Sequence, residues 1–305
     1  MKLTICICTF NRNKSLEKCI ESINKIKIKK QIKINIIIVD NTKDNNLLKI
    51  KKKLIKNSKN KIIFLNEKKR GIVFARNKYL TKLKIINPDY ICLFDDDCIV
   101  DKNWLNCSLK TIKSNNADVV TGPQTYLYNN NLSKKFINYS YLFEKKYGND
   151  KIYSIKWAAS NNIFMKYEII KKNKLFFDKK LNKFGVGEDQ LFFLNINNIG
   201  YKIIWNKNVK VYEKIHTHRL NLKWLIKRSF RLGVLGHYID TKIYGKFLGY
   251  NINYIKSFFY LLKAIIHIIL LPNKTSRINI INFFLRFIGR LCGPFIFNKI
   301  NFLKK

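Results

Sequence analysis

Three consecutive carboxylates, Asp95, Asp96 and Asp97, follow the short apolar run Tyr90–Phe94 and are the clearest candidates for chemistry in this sequence. Like charges so close together repel one another and raise the pKa of a carboxyl group, so the run is costly unless a cation joins it. Hard oxygen ligands suit Mg²⁺ or Mn²⁺, which commonly bridge carboxylates to the phosphates of a substrate. The run therefore predicts a divalent metal site, with a solvated acidic turn as the alternative.

A second acidic pair, Glu188-Asp189, follows Gly185 and Gly187 and precedes the apolar stretch Leu191–Leu194. The glycines allow the backbone to approach closely, and the apolar stretch predicts a helix that faces the core. A carboxylate placed here could accept a proton, which is help typically worth roughly 10²–10⁴-fold in rate. The alternative is an acidic first turn that meets the positive end of a helix dipole.

The elements that must position these groups alternate between strand and helix. The sequence predicts strands at residues 3–8, 34–39, 62–65 and 90–94, with helices between them whose apolar residues recur at helical spacing. Buried strands alternating with amphipathic helices favour an α/β fold with a parallel, doubly wound, Rossmann-like sheet and right-handed crossovers. Ligands of such sheets bind beyond the carboxyl ends of the strands, so we expect Thr9–Arg12, Asp40-Asn41 and Asp95–Asp97 to converge on one cleft.

Length and composition set further bounds. The 305 residues predict one principal domain with an appendage. A net charge of +41 suggests an anionic partner, although Lys, Ile and Asn dominate everywhere, as a uniform coding bias would also produce. The seven cysteines form no CxxC pair, so neither a zinc site nor a disulfide framework is predicted. The first apolar run is too short for a signal peptide, and we expect the active site to face the cytoplasm.

Four motifs in order resemble family 2 glycosyltransferases. They are Thr9-Phe10-Asn11-Arg12, Val39-Asp40-Asn41, Asn66-Glu67 with Gly71 and Ala75-Arg76-Asn77, and Phe94-Asp95-Asp96-Asp97, and Gly187-Glu188-Asp189 and His218-Arg219 extend the series. The pattern is most similar to the subgroup that adds single sugars to bacterial surface polysaccharides. The resemblance implies a GT-A fold, in which one mixed Rossmann-like sheet is flanked by helices. It also implies metal-dependent, inverting transfer of a hexosyl-type sugar from a nucleotide-sugar donor, expected to be a UDP-sugar, to a hydroxyl of a glycan or lipid-linked acceptor.

The resemblance further assigns roles to single residues. Donor binding would fall to Thr9, Asn11, Arg12, Asp40, Arg76, Asn77 and Asp95. Asp97 would hold Mg²⁺ or Mn²⁺, with His218 as a candidate second ligand. Asp189 would be the catalytic base, and Glu188 would bind or orient the acceptor. The plainer alternatives are a turn or cap role for Asp40, a solvated helix face for Arg76 and Asn77, and a packed or exposed His218.

Residues 221–305 are predicted to form a helical region attached to a catalytic domain at residues 1–220. Ile252–Leu271 is mostly apolar and about long enough to cross a bilayer. Lys263 lies near its middle, where a lysine costs roughly 2.5–3.5 kcal/mol. Two narrow basic stripes run along the two predicted helices: Lys256, Lys263 and His267 in the first, and Asn282, Arg286 and Arg290 in the second.

Such stripes on apolar helices favour a position in the membrane interface, with the cations meeting lipid phosphate. We therefore expect an anionic membrane surface as a partner and a peripheral location on the cytoplasmic face of the plasma membrane. The alternatives are helices that pack on the catalytic domain or on each other, and a true span.

Two other functions compete with glycosyl transfer. A GT-A-like nucleotidyltransferase also binds a nucleotide through carboxylates and a metal, but such enzymes begin with a Gly-rich phosphate loop, and residues 1–15 contain no glycine. A non-enzymatic nucleic-acid- or membrane-binding protein is suggested by the charge alone and leaves the order of the acidic motifs unexplained. We therefore expect no nucleic-acid partner.

Overall fold

A computed structural model describes residues 1–28, 31–127, 151–214, 219–270 and 274–301. These residues separate into two compact units. Unit 1 comprises residues 1–127, 151–182 and 188–214, and unit 2 comprises residues 183–187, 219–270 and 274–301. The boundary between a catalytic and a helical region at residue 221 stays a prediction.

The first half of unit 1 alternates strands and helices as the sequence predicts. The strands are β1 (Lys2–Thr9), β2 (Lys33–Asp40), β3 (Lys61–Asn66) and β4 (Tyr90–Asp95), and the helices are α1 (Asn13–Asn24), α2 (Leu48–Asn57) and α3 (Ile72–Ile86). The expected apolar face of α1 is buried, because Leu16, Cys19, Ile20 and Ile23 recur at helical spacing and pack on the sheet.

The second half of unit 1 contains shorter elements. They are β5 (Cys98–Val100), α4 (Trp104–Ser114), β6 (Val119–Thr121), β7 (Gln124–Leu127), β8 (Ile152–Ile155), β9 (Asn162–Lys166), α5 (Glu168–Asn173), α6 (Glu188–Asn198), β10 (Ile203–Asn206) and β11 (Val211–Lys214). A 3₁₀ helix at Lys179–Phe184 precedes α6. The predicted helix at Leu191–Leu194 is confirmed, and its Leu191, Phe192 and Phe193 are buried.

An eight-stranded mixed sheet forms the centre of unit 1, in the order β3-β2-β1-β4-β9-β6-β10-β8. The four strands β3, β2, β1 and β4 are parallel, whereas β9 runs antiparallel to both β4 and β6. The expected mixed sheet flanked by helices is confirmed. A separate three-stranded sheet, β5-β11-β7, was not predicted, because strands of three or four residues are too short to show a periodic pattern.

Helices cover both faces of the large sheet. Leu3, Ile5 and Ile7 point to one face with α1, α2 and α4, and Cys6 points to the other with α3, α5 and α6. This alternation follows from the two-residue period of a strand. Because both faces are buried, the polar groups of these strands are left at the strand ends, where a ligand could reach them.

Unit 2 contains three long helices that pack against one another: α7 (Leu222–Tyr244), α8 (Lys246–Leu270) and α9 (Lys274–Ile296). The Asn221 side chain caps α7 by accepting a hydrogen bond from the Trp224 amide at 2.9 Å. By length and composition, Lys246–Ile269 of α8 could cross a membrane.

Some cations of the two basic stripes have partners within unit 2. Lys256 Nζ donates to Asp240 Oδ1 at 2.5 Å, and Arg290 Nη1 donates to Asp240 Oδ2 at 2.7 Å. Arg286 Nη1 donates to the Tyr260 hydroxyl at 3.2 Å. A buried carboxylate requires a compensating charge, and Asp240 is the only acid in residues 219–305. The Arg290 side chain is buried, so the expectation that it faces lipid phosphate is wrong, whereas the Lys256 side chain is 42% exposed and Lys263 is exposed.

Candidate functional site

Four strand ends bring polar residues to one edge of the large sheet. In the register of the parallel strands, Thr9 lies opposite Asp40, Asp40 lies opposite Asn66, and Cys8 lies opposite Asp95. The predicted convergence of three chain segments at the carboxyl ends of these strands is therefore present in the structure.

The acidic run at the end of β4 contacts the residues that follow β1. Thr9 Oγ1 donates to Asp96 Oδ2 at 2.7 Å, and Arg12 Nη1 donates to Asp96 Oδ1 at 3.1 Å and to Asp97 Oδ2 at 2.7 Å. Only 5% of the Asp96 side chain and 7% of the Asp97 side chain are exposed. Arg12 thus pairs with two of the three acids, and Asp96, which had no predicted role, joins Thr9 and Arg12.

Two carboxyl groups of this run, those of Asp95 and Asp96, are held in an environment that favours protonation. Burial raises the pKa of Asp96 to about 6, against the opposing effects of Arg12 and the Thr9 hydroxyl. Loss of water raises the pKa of Asp95 also, and the charges of Asp97 and Asp189 add to this effect while Arg76 opposes it. Because the charge of Asp189 affects the pKa of Asp95, the acidic pair Glu188-Asp189 lies within electrostatic reach of the acidic run.

Arg76 links the two acidic sites. It lies on α3, and its Nη1 donates to Glu188 Oε1 at 2.6 Å while its Nη2 lies 3.5 Å from Asp95 Oδ1. The ring of Phe177 lies 5.4 Å from the guanidinium carbon. Arg76 is buried, so the plain alternative of a solvated helix face is wrong. The guanidinium sits between the strand end and the start of α6.

The two oxygen atoms of the buried Glu188 carboxylate differ in their hydrogen-bond partners. Its Oε1 accepts from Arg76, whereas its Oε2 is buried and has no hydrogen-bond partner among the described residues. Burial raises the pKa of Glu188 to about 7, and the Arg76 charge only partly offsets this shift. Arg76 itself stays charged at any accessible pH, so Glu188 is the member of the pair whose protonation changes near neutrality.

Asp189 lies beside Glu188 in the first turn of α6 and is half-buried. Its Oδ1 accepts a hydrogen bond from the Gln190 amide at 2.8 Å. Gly187 precedes the pair with φ of +86°, and a Cβ on it would overlap with Leu235, so a side chain is excluded there. This local geometry places two carboxylates with different exposure next to each other.

Two predicted donor-binding residues, Asp40 and Asn77, use their polar side-chain atoms to hold the backbone of neighbouring segments. Asp40 is buried and accepts hydrogen bonds from the amides of Thr42 and Leu47, both at 3.0 Å. The Asn77 side chain pairs with the backbone N–H and C=O of Phe177. Their contact with a donor stays a prediction.

Asn11 has a left-handed backbone, with φ of 55°, and its side-chain oxygen accepts from Asn46 Nδ2 at 2.8 Å. An open cavity of about 490 Å³ lies beside it. The residues that line it are Asn11, Arg12, Asn13, Lys14, Ser15, Asn46 and Lys49. Two predicted donor-binding residues therefore border a basic cavity at the start of α1.

One organising residue was not among the predicted site residues. The Asn41 side chain donates to the carbonyls of Glu67 and Lys69 and accepts from the Gly71 amide at 2.7 Å. It thereby fixes the connection between β3 and α3, the helix that carries Arg76. Its position directly after Asp40 at a strand end was the only signal in the sequence.

The residues present fit a divalent cation through their chemistry. Among the described residues, no three His, Cys, Asp or Glu side chains are grouped to hold a metal. Mg²⁺ commonly takes only one or two protein carboxylates and fills its shell with substrate phosphate and water. Asp95 and Asp97 offer such hard oxygen atoms at one strand end. His218, the other predicted ligand, lies outside the described residues.

Comparison with known proteins decides the family. The sequence matches the model of glycosyl transferase family 2 over residues 4–173, which is more than half of the chain and includes β1 to β4 and the acidic run. The chain belongs to glycosyl transferase family 2. The family that the motifs suggested is confirmed, and glycosyl transfer is the class of reaction it supports.

One curated protein is similar to this chain over most of its length. The succinoglycan biosynthesis protein ExoM of Rhizobium meliloti (strain 1021) is 24% identical over 258 residues, which is 83% of this chain and 80% of that protein.

Solved structures of glycosyltransferases share the fold. The mannosyltransferase PcManGT from Pyrobaculum calidifontis, in complex with GDP-Man and Mn²⁺, has a TM-score of 0.62 at 13% identity, covering 98% of this chain and 88% of that one. TarS of S. aureus, residues 1–349 in complex with UDP, has a TM-score of 0.55 at 13% identity, covering 96% and 91%. Against a longer TarS structure, with a TM-score of 0.57 at 15% identity, the alignment covers 86% of this chain but 43% of that one. The expected GT-A fold is confirmed.

Proposed function

We propose that this family 2 member is an inverting glycosyltransferase that moves one sugar from a nucleotide-sugar donor to a hydroxyl of a glycan or lipid-linked acceptor during cell-surface polysaccharide biosynthesis. One observation carries the proposal: Arg76 contacts Glu188 and Asp95 together, which brings the two predicted acidic sites to one guanidinium. Donor and acceptor chemistry need this proximity, because the acceptor oxygen that the base deprotonates attacks the same sugar carbon from which the diphosphate leaves.

For the donor we propose the strand-end residues Thr9, Asn11, Arg12, Asp40, Arg76, Asn77 and Asp95. Support comes from their convergence at one sheet edge and from the basic cavity beside Asn11 and Arg12. A UDP-sugar is the preferred donor. TarS structures contain UDP or UDP-GlcNAc, and PcManGT contains GDP-Man, so both nucleotide classes belong in the test.

For the cation we propose Mg²⁺ or Mn²⁺ at Asp97, with His218 as a further candidate. When bound, such an ion would neutralise the diphosphate charge that develops as the nucleotide leaves. Asp97 now pairs with Arg12 at 2.7 Å, so the Arg12 side chain, 37% exposed, is expected to move as the ion binds. PcManGT was crystallised with Mn²⁺, which supports this choice.

For the base we propose Asp189. Its carboxylate would take the proton of the acceptor hydroxyl as that oxygen attacks the anomeric carbon and the bond from this carbon to the diphosphate oxygen breaks. Glu188, held by Arg76, would orient the acceptor. Such general-base help is typically worth roughly 10²–10⁴-fold.

For the location we propose a peripheral position on the cytoplasmic face of the plasma membrane. It would bring the site to a lipid-linked or membrane-proximal acceptor. The apolar helix α8 and the excess of basic residues support it.

The most informative test is a thermal-shift panel of UDP-, GDP- and dTDP-sugars with and without Mn²⁺. A donor at 100 times its Kd stabilises the native state by about 2.7 kcal/mol, which is readily seen as a rise in Tm. We expect one donor class to raise Tm only when Mn²⁺ is present. If no donor does so, and no sugar nucleotide is hydrolysed, the proposed function is wrong.

A further inference from the structure

Helix α8 exposes large apolar side chains along one side. Phe247, Tyr254, Phe258, Leu262, Ile265 and Ile269 recur at intervals of three, four or seven residues, which places them on one side of a helix, and they are 36% to 86% exposed. We call these six residues the outer face of α8. Ile255 and Ile266, 57% and 48% exposed, border it. So large a continuous apolar surface is uncommon on a soluble protein and marks a contact with another apolar phase.

The opposite side of α8 is small and polar, and it is buried. Asn253, Ser257 and Ala264 are at most 2% exposed and face α7 and α9. Asn253 Nδ2 donates to the Arg290 carbonyl at 3.1 Å, and Ser257 Oγ donates to the Phe287 carbonyl at 3.2 Å. This polarity is reversed relative to a helix of a water-soluble protein, which buries its apolar side.

The helices α7 and α9 meet through small residues. A Cβ added to Gly233 would lie 2.8 Å from the Cα of Gly289, and one added to Gly293 would lie 2.8 Å from the Cβ of His237. Close approach of backbones at glycine, together with side-chain hydrogen bonds between helices, is typical of helices that pack in a lipid environment. Two independent features of unit 2 therefore point to the same surroundings.

The charges of unit 2 are arranged to suit these surroundings. Residues 219–305 contain sixteen Lys and Arg and the single acid Asp240. Asp240 pairs with Lys256 and Arg290 inside the bundle. Lys242 and Lys246 remain exposed beside Phe247, the most exposed apolar residue of the outer face. The apolar surface is thus flanked by positive charge with no exposed acid on the described residues of unit 2.

From this arrangement we infer that the outer face of α8 inserts into the hydrocarbon of an anionic lipid bilayer, while Lys242 and Lys246 contact the lipid headgroups. The inference rests on the proposed peripheral location and names the surface responsible for it. Because Lys263 is exposed near the middle of α8, where a span would bring its charge into the hydrocarbon, the helix lies in the plane of one leaflet rather than crossing the membrane. Asp240 holds the buried Arg290 inside the bundle.

The test uses the full chain and sedimentation with vesicles of phosphatidylcholine containing phosphatidylglycerol. The variant is Ile255→Glu combined with Phe258→Glu, two exposed positions that touch no proposed catalytic residue. We expect its vesicle partition coefficient to fall at least roughly tenfold below that of the wild type. The matched control is Ile85→Glu, which changes an apolar residue of α3 that is 75% exposed, and it should bind as the wild type does.

Salt and activity separate the possible outcomes. High salt screens headgroup attraction but not apolar insertion, so part of the wild-type binding should persist at 1 M salt, where charge is screened within about 3 Å. Binding that salt abolishes and the variant leaves unchanged would overturn the inference. The inference would also be overturned if the wild type were a dimer, the variant a monomer, and vesicle binding the same in both. The outer face of α8 would then contact a second copy of the chain instead of lipid. Donor hydrolysis in solution should be equal in all three proteins, which keeps this test separate from that of the catalytic proposal.

Discussion

The Arg76 guanidinium lies 2.6 Å from the Glu188 carboxylate, although the two residues are 112 positions apart in the chain. Only 8% and 6% of their side chains are exposed. The other arm of Arg76 lies 3.5 Å from Asp95. This buried pair ties the start of α6, where Asp189 lies, to the carboxyl end of β4.

Removing one member of the pair should destabilise the protein. At pH 8, where the Glu188 carboxyl is ionised in the wild type, Arg76→Met removes the partner of this buried charge, an effect of about 3–5 kcal/mol in comparable cases. Adding Glu188→Gln removes the second charge, so the double variant should recover much of the loss. Urea unfolding of the wild type, both single variants and the double variant measures this coupling.

The control for this cycle is the ion pair of Lys166 and Asp118, which lie 2.9 Å apart and have side chains that are 35% and 21% exposed. Its coupling should be at most about 1 kcal/mol because water screens it. If the losses of unfolding free energy in Arg76→Met and Glu188→Gln simply add in the double variant, the two side chains act independently. The proposed link between the acidic sites would then fail.

The raised pKa of Glu188 predicts how stability depends on pH. Between its ordinary value of 4.5 and about 7, the native state holds a proton that the unfolded state has lost. The unfolded state therefore binds fewer protons, and stability falls as pH rises through this window. Glu188→Gln cannot lose a proton, so its stability relative to the wild type should rise by roughly 1–3 kcal/mol from pH 5 to pH 8.

Thermal unfolding of both proteins across this pH range provides the measurement. Asp96, whose pKa is also raised, to about 6, is present in both proteins and cancels in the difference. A difference in Tm that stays constant with pH would show that Glu188 is ionised throughout.

Asp189→Asn should lower kcat by roughly 10²–10⁴-fold while the donor Kd stays within a few-fold of the wild-type value. The amide keeps the shape of the carboxylate but cannot accept the acceptor proton. Single-turnover rates and equilibrium donor binding should be measured side by side. Glu168→Gln, which also removes an acid from the first turn of a helix, should change neither value. Parallel loss of donor affinity would make Asp189 a binding residue instead.

Asp97→Ala should abolish the Mn²⁺-dependent rise in Tm that a donor produces, and the protein should remain folded. The carboxylate would be lost as a cation ligand, while Arg12 keeps Asp96 as a partner at 3.1 Å. Asp44→Ala, at an exposed acid, serves as the control. Wild-type donor binding and Mn²⁺ response in Asp97→Ala would exclude Asp97 as the metal ligand.

Local sequence patterns determined much of the architecture. The strands β1 to β4 and the helices between them follow from apolar runs and from spacings such as Leu16, Cys19 and Ile23 on α1. Parallel strands that end in polar residues necessarily bring those residues to one edge, so the convergence of Thr9, Asp40 and Asp95 was predictable. The order of the motifs was also sufficient to indicate the family.

What only the tertiary structure decided is which distant groups become partners. The sequence showed three acids and suggested a cation, but packing placed Arg12 against Asp97 and Arg76 against Glu188. The sequence likewise showed a basic stripe on α8. It did not show that Lys256 of this stripe pairs with Asp240 of α7. Periodicity records which residues share a face of an element. The energy of pairing a buried charge depends on which groups of other elements pack against that face. Only the assembled fold determines these partners.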